Sequence, residues 1–488
     1  MYKFERYRQL GLADFNQPAG LKMDPDNRWI RKAAVIPWEA IEEKYAELFP
    51  SDTGMPAKPL RTALGSLIIQ KQYGYSDREL VEQIKENPYY QFFIGLSGYQ
   101  NNQPFAPSLL VEFRKRLDDD VMMEINEMII AYNTPDDPGP GAGGGKGSDK
   151  TPDKPENSGT IILDATCAPQ NISYPQDINL LNEARENLEV LIDRICHDYN
   201  YYKPRMYRRN ARRDYLNLAK CKKRTAKKIR RAIKQQLQYI RRDMGYVEAF
   251  LSDGVGLTPK QAARLSVLYQ VYEQQRYMYE NNVHSVESRI VSISQPYIRP
   301  IVRGKAAASV EFGAKLDLSI DENGMARLEK LSFDAYNESD VLVGAIERYH
   351  ERTGRYPERA LADKIYRNRD NLAYCKLHGI RLSGPKLGRP KKDGMADKKT
   401  EYTDNADRVE VERSFSLAKR CYGLGRVMTK LDVTTRSSIA LSILVMNVAR
   451  IAVRSLCRLL MSLLSRCRQL DFMLLYIQNG YGKILVAY

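Results

Sequence analysis

Cysteine is sparse and unpatterned in this 488-residue chain: residues 167, 196, 221, 375, 421, 457 and 467 form no Cys-x-x-Cys pair and no Cys/His cluster of zinc-ligand spacing. That excludes a disulfide-stapled scaffold, argues against structural zinc, and makes a reduced, intracellular compartment the expected home. His197, His284, His350 and His378 are scattered without ligand spacing and are read as structural or surface groups. No signal peptide opens the chain, and no apolar run reaches the roughly 20 residues a bilayer needs. The most apolar stretch, Ile439 to Ala449, runs straight into Arg450, Arg454 and Arg458. A soluble, cytoplasmic protein without a membrane partner is therefore expected. Gly139 to Gly147 is no phosphate loop, lacking both the preceding strand and the Lys-Ser/Thr ending.

The length predicts two or three domains with ample core. Lys and Arg number 76 against 60 Asp and Glu, a net charge of +16. Nearly all of that excess sits between Lys203 and Arg242, which hold 17 bases and one acid, Asp214. Arg208, Arg209, Arg212, Arg213, Lys222, Lys223, Arg224, Lys227, Lys228, Arg230 and Arg231 form the heart of this block. Such a block points to a polyanion, since neutralised phosphates release condensed counterions. The alternative is a solvated helix face. A membrane surface fits less well, because no Trp or Phe is interleaved as an anchor.

Residues 1–133 read as an all-helical N-terminal domain, clearest from 58 to 130. Leu60, Leu64, Leu67 and Ile68 mark one amphipathic helix that Gly74 ends, and Ser76 to Glu79 has capping-box spacing for the next. A further helix begins near Ser108 and carries Arg114, Lys115 and Arg116. Short helices with tight turns fit a helix-turn-helix-like DNA reader or, equally, a generic bundle. Residues 134–159, crowded with Gly, Pro and Asp, read as a flexible linker.

Residues 160–488 predict an α/β domain. Thr160 to Asp164 looks like a buried strand ending in an acid. A helical insertion at about 180–300 interrupts the sheet. Ile233, Leu237, Ile240, Met244, Val247 and Leu251 recur in coiled-coil rhythm, and Thr258 to Gln261 has a capping box with Pro259 at the first helical position. Residues 205–290 thus predict a basic helical hairpin with a first arm of about 40 residues, some 60 Å long at about 1.5 Å per residue. Residues 309–320 and 327–333 flank the turn Asp321 to Gly324 and predict a β-hairpin. A helix from about Ser339 to Arg352, a strand at Ala360 to Ala362 and a strand at Ile380 to Leu382 complete a mixed sheet.

Asp164 and Asp363 each close a short apolar strand, where ligands gather in α/β sheets. Glu412 lies on a helix spanning 408–419. At about 100° per residue, Arg408, Glu412 and Lys419 fall within about 40° of one another, bordering an apolar stripe of Val411, Phe415, Ala418 and Tyr422. Three converging carboxylates need a cation between them, and hard oxygen ligands suit Mg²⁺ or Mn²⁺; two such ions clamp phosphodiester chemistry. Arg408 and Lys419 would then hold DNA phosphates. On the residues alone, a set of solvated or salt-bridged carboxylates is the competing reading.

Several segments in order resemble the DDE transposases of bacterial insertion sequences, the IS-five-like or IS-four-like group. They are Tyr73-Gly-Tyr-Ser-Asp-Arg-Glu-Leu80 and Phe113-Arg-Lys-Arg116, then Leu163-Asp-Ala-Thr166 with Tyr174-Pro-Gln-Asp177, then Arg303-Gly-Lys305 with Glu311-Phe-Gly-Ala-Lys315, then Ala362-Asp-Lys-Ile-Tyr366, and Arg408 to Lys419. In the last, Arg408, Glu412 and Lys419 keep both family spacings, while Asn405 stands where the family has tyrosine. The resemblance implies an RNase H-like core in which Asp164, Asp363 and Glu412 bind two Mg²⁺ ions. It also implies cleavage and strand transfer on double-stranded DNA, at terminal repeats and target, by a homodimer or larger assembly. A non-catalytic, domesticated DNA-binding protein is the alternative.

Overall fold

The computed structural model describes residues 11–17, 22–49, 56–134, 157–302, 310–384 and 395–481, with backbone alone at 395–398 and 458–481. Most of the expected linker, and Arg303 to Lys305, lie outside the described residues.

Seven helices come first: α1 (Arg28–Ala34), α2 (Trp38–Ala46), α3 (Leu60–Tyr73), α4 (Asp77–Glu86), α5 (Pro88–Phe93), α6 (Leu109–Arg116) and α7 (Asp119–Asn133). Their ends follow local chemistry. Gly74 takes a left-handed conformation (φ +69°) that terminates α3, and the Ser76 hydroxyl accepts from the Glu79 N–H at 3.2 Å to start α4. Glu79 does not return the bond and instead accepts from Gln83, so only half of the expected capping box forms.

Strand β1 (Thr160–Pro169) leads into α8 (Asp177–Asp198), α9 (Arg208–Ala219), α10 (Ala226–Ser252) and α11 (Pro259–Asn281). The sheet resumes with β2 (Arg299–Val302), β3 (Val310–Ile320) and β4 (Ala326–Ser332), followed by α12 (Val341–Thr353), β5 (Arg359–Leu361), α13 (Arg369–Leu377) and β6 (Arg381–Leu382). Two long helices close the chain, α14 (Met395–Cys421) and α15 (Asp432–Tyr481). Strand order is β2-β3-β1-β5-β6, with β4 also pairing β3. Pairs β1–β3, β2–β3 and β3–β4 are antiparallel, and β1–β5 and β5–β6 are parallel. The fold is thus a mixed α/β sheet with many helices.

The period-two alternation of the strands feeds two cores. Ile162, Leu316, Leu318 and Leu361 pack under Val411, Phe415 and Ala418 of α14 and onto α15. Ile161, Leu163 and Ala360 pack on the other face, under α12 and α13. The N-terminal helices share the first of these cores. Asn447 of α15 donates to the Ala326 carbonyl at 2.7 Å and accepts its N–H at 3.0 Å, while Asn126 of α7 donates to the same carbonyl at 3.2 Å. Residues Asp432–Cys457 are long and apolar enough to cross a membrane, but most of that segment is buried against the rest of the chain.

The insertion corrects one expectation. Within residues 205–290 there are three helices rather than two arms, since the first arm is broken between Ala219 and Ala226, and α8 packs with them as a fourth. Lys220, Lys222, Lys223 and Arg224 stack like charges along any continuous helix, and Thr225 offers a cap by accepting from the Lys228 N–H. The seam of Leu237, Ile240, Met244 and Val247 is buried as its rhythm predicts, in a core shared with α8 and α11. The Thr258 capping box forms in both directions.

Asn447→Leu leaves the Ala326 N–H buried without its partner, and a loss of roughly 2 kcal/mol is expected. A urea-unfolding midpoint equal to wild type would show this bond to be dispensable.

Candidate active site

The parallel register sets Ile162 beside Leu361. Two residues further on, Asp164 stands level with Asp363, which lies just past the end of β5. Ile162 and Leu361 both face α14, so alternation turns the two aspartates toward the same helix. Asp363 caps a 3₁₀ turn, Lys364–Tyr366, its carboxylate accepting from the Lys364 N–H at 2.7 Å, and its side chain remains 57% exposed. Asp164 is more enclosed and accepts from the Ala165 N–H at 2.9 Å.

Helix α14 crosses this end of the sheet, packing on β1, β3 and β5. It delivers Arg408, whose Nη1 lies 3.9 Å from Asp363 and whose buried Nε has no hydrogen-bond partner among the described residues. Burial pushes the Asp164 carboxyl up to about 6; the Ala165 N–H and Arg408 pull it down, while Glu338 and Asp363 push it up. One guanidinium thus faces a group of carboxylates. The oxygen donors and the shortage of positive charge suit a hard divalent cation.

Of the expected acids, Asp164 and Asp363 are brought together. Glu412 lies one helical turn beyond Arg408 and is exposed. Among the described residues, no three His, Cys, Asp or Glu side chains are gathered closely enough to hold a metal ion. Lys419 is half-buried at the far end of α14. Glu338 joins the site from the turn before α12, paired with Lys315 at 2.8 Å, and sequence reasoning passed over it. The available signal was the helix cap at Asn337, whose side chain accepts from the Ser339 N–H.

The basic candidates divide. Arg209, Arg212, Arg213, Lys222, Lys223, Arg224, Lys227, Lys228, Arg230 and Arg231 are exposed on α9, α10 and the turn between them. Arg208 turns inward, pairing with Asp193 at 2.7 Å and with Glu189. Arg114 is buried by α4, held by Asp77 and Gln70, which takes it away from any surface. Lys115 is exposed beside Glu112, and Arg116 stacks over Phe49. Asp177 ties the insertion together, accepting from Gln275 and Arg289.

Comparison with known proteins adds two family matches. Residues 20–116 match the model of "Transposase domain (DUF772)", and residues 360–449 match that of "Transposase DDE domain", a segment that holds Asp363, Arg408 and Glu412. The chain resembles the DDE-type transposases of bacterial insertion sequences. It is also 28% identical over 168 residues to the "Uncharacterized protein ORF8 in nfe locus" of Rhizobium meliloti, covering 34% of this chain and 73% of that protein. No solved structure matches it. DDE transposase domains generally use divalent metal ions and act on DNA.

Asp164 holds its proton more tightly folded than unfolded, so between about pH 4 and 6 the folded state binds more protons and stability falls as pH rises. With chelator present, Asp164→Asn is expected to flatten this part of the stability profile relative to wild type. Parallel profiles from denaturant unfolding at pH 4.5 and 7 would contradict the placement of this carboxyl.

Proposed function

We propose that the chain is a metal-dependent DNA transposase that cleaves and rejoins DNA at the ends of an insertion sequence. The observation that carries this reading is the pair of aspartates, Asp164 on β1 and Asp363 level with it just past the end of the parallel β5, with Arg408 from α14 beside Asp363. The sheet, in which β4, β3 and β1 run antiparallel in that order and β5 and β6 extend β1 in parallel, with β2 as a further antiparallel partner of β3, supports an RNase H-like core. Asp164, Asp363 and Glu412 would hold two Mg²⁺ ions, or Mn²⁺ in their place, which supply charge neutralisation at the scissile phosphate.

The chain's own residues do the remaining work. Arg408 has an unused buried donor beside the aspartates and orients a DNA phosphate; Lys419 steadies the strand along the same helix. The exposed bases of α9 and α10 track double-stranded DNA over a distance, with Lys115 and Arg116 as a second contact from the N-terminal domain. Arg114 and Arg208 organise the surfaces from which their neighbours reach out. The helical domain (residues 1–133), the linker (134–159) and the catalytic domain (160–488) divide binding from chemistry, and a homodimer or larger assembly brings two ends together. The setting is the bacterial cytoplasm, at the nucleoid.

One observation favours a second reading, DNA binding without cleavage: Glu412 stands exposed, and no acid trio is gathered among the described residues. Plasmid DNA carrying the flanks of this gene's own locus separates the two. Metal-dependent nicks at discrete positions are expected from wild type, and Glu412→Gln should abolish them while end binding persists. Full cleavage by that variant would sink the site assignment, and tight binding without cleavage under any metal would favour the second reading.

The basic surface has its own test. Reversing Arg212, Arg213, Lys227 and Lys228 to Glu should weaken DNA binding and reduce the salt slope by about 0.9 for each phosphate that is no longer neutralised. An unchanged slope would remove α9 and α10 from the DNA path.

A further inference from the structure

A buried polar cluster lies behind the aspartate pair. Asp317 of β3 is wholly buried, and the antiparallel register puts it beside Ala165, the next residue after Asp164. One of its oxygens accepts from the Tyr366 hydroxyl at 2.7 Å, and the other from the Tyr336 hydroxyl. The two tyrosines come from different places. Tyr336 precedes α12, and its carbonyl accepts from Lys315 at 3.0 Å. Tyr366, also wholly buried, closes the 3₁₀ turn that Asp363 caps, its N–H donating to the Asp363 carbonyl at 3.0 Å.

A carboxylate enclosed this way is a poor choice for stability alone, because well-packed apolar residues fill such space at lower cost. What it supplies is direction. The turn carrying Asp363 is tied outward to β6, through Arg367 on the Leu382 and Ser383 carbonyls and through the Ser383 hydroxyl on Ala362. The Tyr366–Asp317 bond is its tie in the opposite sense, toward β1 and β3, where Asp164 stands. Asn371 secures the same tyrosine from behind, its amide donating to the carbonyls of Tyr366 and Ser339, each at 2.8 Å.

We propose that Asp317, acting through Tyr366, is a positioning residue that sets Asp363 against Asp164 and so fixes the spacing at which the two carboxylates receive a divalent cation. This rests on the reading of those aspartates as metal ligands. Groups that orient ligands from behind change metal affinity by about 10- to 100-fold when removed.

The test is Mn²⁺ binding by the full chain without DNA, followed by the electron paramagnetic resonance signal of the free ion. Tyr366→Phe deletes one hydroxyl and is expected to weaken Mn²⁺ binding at least about tenfold, raising the Mg²⁺ needed for half-maximal cleavage by the same factor. Tyr336→Phe deletes the other hydroxyl from the same carboxylate without touching the Asp363 turn, and should stay within about twofold of wild type. Equal losses in the two variants, or wild-type Mn²⁺ binding by Tyr366→Phe, would overturn the proposal. If Tyr366→Phe does not fold, Asp317→Asn, which keeps the shape of the side chain, is read in the same way. The underlying reading fails differently: Asp363→Asn would then bind Mn²⁺ and cleave like wild type. Loss of metal in Asp363→Asn beside unchanged binding in Tyr366→Phe removes only the role given to Asp317.

Discussion

Between Ile439 and Val448, helix α15 must be covered on every side. From Ile439 to Val448 no residue is left exposed, and an amphipathic helix never shows such a run. Water can be excluded from a helix of this kind only by two partners, one on each flank. The N-terminal helices supply one and the sheet with α14 supplies the other, so both pack into a single core. The tandem asparagines on Ala326 fix that packing in register, and Arg436 adds a contact between Asp119 of α7 and the Leu331 carbonyl. The position of α14 over the aspartates depends on the same arrangement, since Arg450 of α15 holds Glu410 and Ser414 of α14.

The insertion obeys a different balance. It has a core of its own, drawn from α8, α10 and α11, with the buried pair Arg185–Glu189 and with half-buried Arg242 on the buried Asp243. Its charge is sorted rather than spread. Arg185 and Arg208 meet their acids turned inward, and most of the remaining bases are left exposed on α9, the start of α10 and the turn between them. A net charge read along the chain therefore becomes a directed surface only after these internal pairs are subtracted.

Much of the fold was legible because it rests on local signals. The Thr258 box, the Gly74 stop, the turn at Asp321 to Gly324 and the helix through Arg408 each follow from a few neighbouring residues. The acid after the short run of β5, Asp363, was visible in this way, but Asp164 was expected to end its strand and instead sits mid-strand, because β3 pairs β1 on as far as Pro169. Strand β2, with Pro300 in it, has no pattern of its own and exists because β3 offers it an edge. The break after Ala219 rests on like-charge repulsion among Lys220, Lys222, Lys223 and Arg224, ahead of the apolar rhythm that starts at Ile233. The inward turn of Arg114 depends on Asp77, 37 residues away, and no periodicity reports such a partner. The same holds for Asp317 and Glu338, which the sheet and the turn before α12 bring to the site.

Residue 313 of β3 has two neighbours, Pro169 at the end of β1 and Arg299 at the start of β2. The crossing is tight enough that a Cβ there would meet the Ala168 carbonyl oxygen at 2.1 Å, so glycine is required. Everything between those two neighbours, the whole four-helix bundle, therefore leaves and re-enters the sheet at a doorway two strands wide, about 10 Å at 4.7–4.9 Å per strand. A graft attached through so narrow a neck can be lengthened, shortened or exchanged in evolution without disturbing the pairing of β1 with β5. The exposed basic surface of the bundle can change while the aspartates keep their places.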